Sequence, residues 1–218
     1  MSLKIGIVGT GSVAKRNYLP CLATQEDMSL GYYNRTRSKA DEVAGEFGGT
    51  VYDSLEALVD WSPDAVMVLT KETDRFDVSM ALLECGPKRA FFEKPLVAKH
   101  GQEDVREEDF NSARELLAKA AAIGCETAMV FNYRFFDHPL IAKRVIEERG
   151  FGRAVNVSGL VHYACWSHAI DLVHHFADPV TELTALQSDS VRGEKMPARD
   201  VPAASRTEAD GTGTLIGT

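Results

Sequence analysis

The stretch KIGIVGTGSVA, Lys4 to Ala14, constrains this chain more than any other. Ile5, Ile7 and Val8 make a nearly continuous apolar run, as expected of a strand buried on both faces of a parallel sheet. Gly9, Gly11 and Ala14 follow in the order G-x-G-x-x-A, and a helix-compatible segment opens at about Ser12. Gly9 permits the tight turn out of the strand, and Gly11 lets the backbone approach a pyrophosphate with no Cβ in the way. Ala14 lets the helix pack closely on the strand. The helix N-terminus offers free N–H groups and a positive dipole end to phosphates. Glycine turns are common, so the pattern takes its meaning from its place between strand and helix. It predicts a dinucleotide site in which Gly9, Thr10, Gly11, Ser12 and Val13 form the phosphate turn.

Composition narrows the partners. With 24 basic and 32 acidic residues in 218 and no long basic run, the net charge of −8 argues against nucleic acid or an anionic membrane. No apolar run approaches the ~20 residues of a membrane span. The chain enters its first strand at once, so no signal peptide is expected. Cys21, Cys85, Cys125 and Cys165 are far apart and form no C-x-x-C, which suits reduced thiols in a cytoplasmic protein better than a metal or redox site.

Strand and helix signals alternate through the first half, which implies parallel strands joined by crossover helices. Tyr18, Leu19 and Leu22 form the inner face of the first helix, and Pro20 should shorten or kink it. Strands are expected at Met28–Tyr33, Val51–Tyr52, Ala65–Leu69, Arg89–Phe92 and Thr127–Phe131. Helices are expected to bury Ala40, Val43, Ala44 and Phe47; Leu55, Leu58 and Val59; and Phe76, Met80 and Leu83. Asp53 and Glu56 resemble a capping box for the second of these. The hydrophilic segment Lys99–Asp109 reads as a surface insertion before a helix striped by Phe110, Ala113, Leu117 and Ala120. The pattern then changes to a helix at Leu140–Glu148, a strand-like Arg153–His162, a helix at Ser167–Phe176 and a strand-like Val180–Gln187. This gives a dinucleotide-binding domain over 1–124 and a smaller α+β domain over 125–218.

In a Rossmann unit the residue that meets the adenosine ribose ends the second strand, about 20 residues beyond the phosphate turn. Asn34 occupies that place and carries no negative charge, while Arg35, with Arg37 close by, can pair bidentately with a 2′-phosphate. NADP is therefore favoured over NAD. The alternative, that both arginines are ordinary surface residues and NAD binds, stays open. Glu93-Lys94-Pro95 sits where a parallel strand ends, at the edge where doubly wound sheets bind ligands. A lysine there can polarise a substrate oxygen as hydride moves.

The N-terminal G-x-G-x-x-A, Glu93-Lys94-Pro95, Phe131-Asn132-Tyr133-Arg134-Phe135 and His168-Ala169-Ile170-Asp171-Leu172 together resemble the Gfo/Idh/MocA oxidoreductases. The resemblance runs in order along almost the whole chain. It implies a Rossmann doubly wound parallel sheet followed by a domain with an open, mainly antiparallel sheet. It also implies hydride transfer between NAD(P) and a sugar, polyol or related carbonyl compound. By position, Lys94 is the lysine that contacts the nicotinamide end and the substrate, and His168 the histidine that exchanges the substrate proton. A histidine suits that task because its unperturbed pKa, about 6.5, lies near working pH. Thr70, Glu93 and Lys94 join Asn34 and Arg35 on the cofactor side; Arg134, Tyr163 and Asp171 fall to the substrate.

Four departures stand out. Ala164 replaces the aspartate that many members carry four residues before the histidine, so Tyr163, His162 or Asp171 must complete any relay. Thr70-Lys71 and Arg75 stand where Thr-Pro and a histidine are usual. Lys99–Asp109 is an unusual insertion. Members usually exceed 300 residues, so the second domain looks truncated. Asp171 and His175 repeat the D-x-x-x-H spacing, which puts His175 forward as an alternative to His168; no compact zinc-like ligand set is present. A non-catalytic dinucleotide-binding regulator of the same fold is the competing function. A methyltransferase shares the glycine turn but leaves Glu-Lys-Pro unexplained. An open sheet would need its face covered, so a homo-oligomer is expected.

Overall fold

The structure, a computed structural model, describes residues 2–102, 104–159, 161, 165–177 and 179–180. Two compact units divide the chain, Met1–Val130 and Phe131–Thr218.

Six parallel strands form the first unit: β1 (Leu3–Val8), β2 (Met28–Tyr33), β3 (Thr50–Val51), β4 (Ala65–Val68), β5 (Arg89–Phe92) and β6 (Glu126–Met129). Their order is β3-β2-β1-β4-β5-β6, the Rossmann arrangement. Because all strands run one way, every carboxyl end meets one edge, and the order reverses between β1 and β4. Apolar side chains alternate to opposite faces of β1, and both faces are covered. Ile5 and Ile7 pack with Leu30, Tyr32, Leu19, Ala40 and Val43. Val8 packs on the other side with Val66, Val68, Phe92, Leu58, Leu82 and Leu116. This two-sided burial is why β1 reads as a continuous apolar run.

The covering helices are α1 (Leu19–Leu22), α2 (Arg37–Phe47), α3 (Leu55–Asp60), α4 (Glu72–Glu84) and α5 (Glu107–Ala122). Two of them, α3 and α5, correct the sequence reading, while α1 is the short helix that Pro20 implied. Ahead of α1 the chain winds as a π-helix over Ala14–Tyr18, with Pro20 in the first turn of α1. Proline cannot follow an ordinary helical turn without clashing with the carbonyl four residues back, and a widened turn relieves this. The cap of α3 is Ser54, whose hydroxyl accepts the Ala57 N–H at 3.1 Å, so Asp53 and Glu56 form no capping box. In α5 the buried residues are Asp109, Leu116 and Ala120, whereas Phe110 is 61% and Leu117 43% exposed. Of the expected stripe, Phe110 and Leu117 give way to their neighbours Asp109 and Leu116, while Ala120 is buried as expected. The Asp109 carboxylate accepts the Lys99 N–H at 2.8 Å and the Arg106 N–H at 2.9 Å. One side chain thus ties the hydrophilic segment at both ends. The first unit closes at Val130 rather than 124 because β6 pairs with β5.

In the second unit a 3-10 turn (Asn132–Phe135) leads into α6 (Asp137–Arg149), which ends at Gly150 in the left-handed conformation. A further helix, α7, spans Trp166–Phe176. Residues 153–159 are irregular, so the strand expected over Arg153–His162 is not formed across them. Their polar alternation has no pairing partner among the described residues. The strand expected at Val180–Gln187 lies, after Val180, outside the described residues, as does the rest of the tail.

Candidate functional site

The glycine turn after β1 is built from close approach. Gly9 has φ +93°, and a Cβ there would lie 2.8 Å from the Thr70 nitrogen. Only glycine lets the ends of β1 and β4 come this near. Gly11 is the opposite case, since a Cβ built on it meets nothing within 4 Å. Its open side is the space a phosphate needs. The Lys15 N–H donates to the Gly11 carbonyl at 3.1 Å and starts the helix, with Ser12 exposed and Val13 half-buried in its first turn. Asn34, from the end of β2, accepts the Thr10 N–H on its Oδ1 at 3.1 Å and donates to the Thr36 carbonyl at 2.9 Å. It therefore braces the turn from the end of β2.

Gly9, Gly11, Asn34, Arg35 and Thr70 line one cavity of about 420 Å³ at the carboxyl edge. Lys39 lines it too, and sequence reasoning passed it over. Its signal was available, because it lies four residues after Arg35 on the first turn of α2. Arg35 reaches Asp74 on α4 at 3.8 Å. Arg37 is outside this cavity, ion-paired with Asp53 and 3.6 Å from Asp41. The hydroxyls of Thr10 and Thr70 are buried at this edge without a hydrogen-bond partner in the protein. Orphaned hydroxyls of this kind ask for a ligand or water. Together with the open cradle at Gly11, they fit a bound dinucleotide.

Glu93, Lys94 and Pro95 leave β5 at the same edge, half-buried, with a cis Lys94–Pro95 peptide. Two residues that the sequence did not assign hold this turn. The Tyr18 hydroxyl donates to Glu93 Oε2 at 2.7 Å. Burial, reinforced by the Glu93 carboxylate, pushes the phenol pKa far above its ordinary value, so Tyr18 stays a donor. Arg75, buried on α4, donates to the Glu93 carbonyl at 2.6 Å, to the Thr70 carbonyl at 2.5 Å and to the Pro95 carbonyl. The fork of a guanidinium suits this, because strands ending side by side leave several carbonyls to satisfy. Desolvation lowers the Arg75 pKa, and the charges of Glu93 and Glu72 oppose that shift. The sequence signal for Arg75 was a charge on the buried stripe it shares with Ser79 and Leu82.

The second unit gathers the other predicted residues. His168, on α7, is 6% exposed and stacks on Tyr133 with ring centroids 4.1 Å apart and planes 11° from parallel. Phe131 meets it edge-on at 6.0 Å. Asp171, one turn along and buried, accepts a bidentate pair from Arg134, with Nε to Oδ2 at 2.8 Å. Its carboxylate is thus committed to the 3-10 turn. His175 sits a further turn along, with its carbonyl held by Lys143 at 2.7 Å. Burial lowers the His175 pKa, helped by the charges of Lys143 and Arg134. Tyr163, with His162 and Ala164, lies outside the described residues. None of the four cysteines is in a disulfide, and no helix among the described residues is long and apolar enough to cross a membrane.

A family model described as "Oxidoreductase family, NAD-binding Rossmann fold" (GFO_IDH_MocA) matches residues 3–131. Glucose-6-phosphate 3-dehydrogenase of Bacillus subtilis (strain 168) is 25% identical over 161 residues, covering 73% of this chain and 42% of the relative. Among solved structures, the 3-ketoreductase KijD10 of Actinomadura kijaniata, in complex with NADP and TDP-benzene, has TM-score 0.54 at 22% identity. The match covers 68% of this chain and 43% of that one. Apo scyllo-inositol dehydrogenase of Lactobacillus casei has TM-score 0.53 at 22% identity, over 70% and 43% of the two chains. The chain spans about two fifths of the length of the curated relatives it matches.

Proposed function

Because this chain belongs to the Gfo/Idh/MocA oxidoreductases, with their NAD-binding Rossmann fold, we propose that it works in hydride transfer between a nicotinamide dinucleotide and a sugar, polyol or related carbonyl compound. The observation that carries the reading is the cavity ringed by Gly9, Gly11, Asn34, Arg35 and Thr70, at the same sheet edge as Glu93-Lys94-Pro95. Relatives that act on a sugar phosphate, a ketone and an inositol support the substrate class.

The bound dinucleotide supplies or accepts the hydride at its nicotinamide ring. The protein's own part begins at the phosphate turn, where the Gly11 cradle and helix N-terminus take the pyrophosphate and the hydroxyls of Thr10 and Thr70 gain acceptors. Ser12 and Val13 supply backbone to the same turn. Lys94, in the first unit, directs its ammonium at the substrate oxygen and stabilises the charge that develops there. Glu93 holds the turn through Tyr18. His168, in the second unit, is assigned the substrate proton, and Arg134 the substrate's polar groups. Asp171 serves by fixing Arg134. NADP is favoured because Arg35 and Lys39 both stand at the cavity; the Asp74 carboxylate facing Arg35 works in the opposite direction. Assembly of identical subunits belongs to the same proposal, read out by mass in solution.

Replacing Lys94 with Ala is expected to cut kcat about a hundredfold or more while cofactor affinity changes little. Steady-state rates on a panel of sugars and polyols, with dinucleotide titrations alongside, check this, and unchanged turnover rejects the assignment. Michaelis constants for both cofactors decide between NAD and NADP, with a strong NAD preference overturning the role given to Arg35 and Lys39. Two observations favour a sensor without turnover: His168 is closed into an aromatic stack and Asp171 is committed to Arg134. Binding without consumption of the reduced cofactor on every substrate would establish that reading.

A further inference from the structure

Tyr18 stands at a place where two parts of the cofactor edge meet. It ends the π-helical segment that rises from the phosphate turn, and its hydroxyl reaches the Glu93 carboxylate at 2.7 Å, next to Lys94. The two residues are 75 positions apart in sequence. A π-turn inserts one residue into the helix and rotates the residues downstream of it by about 100°. Tyr18 and Leu22 pack against the cluster that buries Leu19, as their spacing implies, and the Tyr18 hydroxyl extends beyond it to the sheet edge. A phenol donating to a carboxylate is a charge-assisted bond, stronger than a neutral one. The phenol is half-buried and holds its proton, which keeps the bond in place across the working pH range. From the other side, Arg75 fixes the backbone of the same turn through the carbonyls of Glu93 and Pro95.

We propose that Tyr18 is a positioning residue that couples the pyrophosphate end of the site to the lysine-bearing turn through its bond to Glu93. Contact with a pyrophosphate orders the start of this helix, and the Tyr18–Glu93 bond carries that order to the Glu93–Pro95 turn. The adenosine and pyrophosphate half of the ligand does not depend on this bond; the nicotinamide half does. The inference rests on the dinucleotide reading given above and adds to it a specific route between the two halves of the ligand.

The test uses the full chain and two probes. ADP-ribose carries the pyrophosphate but no nicotinamide, while NADPH and NADH report the nicotinamide environment through their own fluorescence. Tyr18→Phe removes one hydroxyl and keeps the ring. It is expected to leave ADP-ribose affinity within about twofold of wild type. The affinity for the reduced dinucleotide should fall about tenfold, with loss of the blue shift of its emission. Glu93→Gln is expected to act in the same way, and the double variant to be no worse than the poorer single one, because both remove the same bond. Equal losses on both probes, no loss on either, or additive effects in the double variant overturn the coupling. A wild-type protein that binds neither probe overturns the dinucleotide reading and this inference together. A wild-type protein that binds both, with Tyr18→Phe indistinguishable from it, overturns the inference alone.

Discussion

Gly9 and Gly11 share a motif, yet the structure gives them different jobs and different expected responses to the same change. Gly9→Ala puts a Cβ 2.8 Å from the Thr70 backbone at φ +93°, so the protein is expected to lose about 2 kcal/mol of stability. Gly11→Ala adds a methyl where nothing lies within 4 Å, so stability should stay within about 0.5 kcal/mol of wild type. Its cost should fall on the ligand, with ADP-ribose bound at least about tenfold more weakly because the pyrophosphate loses its approach. Thermal unfolding and titration separate the two, and undiminished binding by Gly11→Ala counts against the phosphate turn. Arg75 is a third kind of residue. Replacing it with Met leaves the carbonyls of Thr70, Glu93 and Pro95 without their donor, an expected loss of about 2–3 kcal/mol seen in the urea midpoint. The glycines were legible in sequence because their demands are local. Arg75 and Lys39 left only a faint mark, a charge on a buried stripe and a spacing of four from Arg35, because what buries a guanidinium or brings an ammonium to a cavity is the packing of other elements.

At the scale of elements, strand positions in the first unit were read well and helix details less so, while the strand expected over Arg153–His162 is not formed across 153–159. β2 and β5 have the bounds their apolar runs suggested, although β5 alternates exposed and buried residues, with Phe91 38% exposed, where β2 is covered through its centre. In α5 Phe110 and Leu117 were misplaced because a buried Asp109 broke the rule that charges face water, whereas Ala120 is buried as expected. That aspartate is now a prediction: Asp109→Ala removes acceptors for two backbone N–H groups and should cost about 1–2 kcal/mol, with Asn losing less. Urea unfolding of both variants measures it. For α7, burial holds the His175 imidazole below its ordinary pKa, with Lys143 and Arg134 acting in the same direction. The folded chain therefore binds this proton less well than the unfolded chain. Stability from this group is present above the unfolded value, about 6.5, and is lost as pH falls below it. His175→Gln should flatten the decline in urea midpoint between about pH 7 and pH 5. An unchanged slope would mean that the acid limb belongs to other groups.

At the scale of the whole molecule, both hydrophobic clusters among the described residues draw all their members from residues before Val130. The first unit thus carries its own core and the complete six-stranded sheet. A chain ending at Val130 is expected to unfold cooperatively and to bind ADP-ribose with wild-type affinity, as calorimetry and titration would show; a molten or non-binding fragment contradicts this. What the sequence determined by itself was the alternation of strands and helices, the glycine turn after β1 and the lysine at the strand end. These arise from periodicity and from backbone conformations that few residues adopt, and both are properties of neighbours along the chain. Tertiary structure alone decided that Tyr18 meets Glu93, that Arg75 is enclosed, that Asp171 belongs to Arg134 and that His168 lies against Tyr133. Each of those contacts joins residues distant in sequence, and its strength depends on burial, which exists only once the elements have packed.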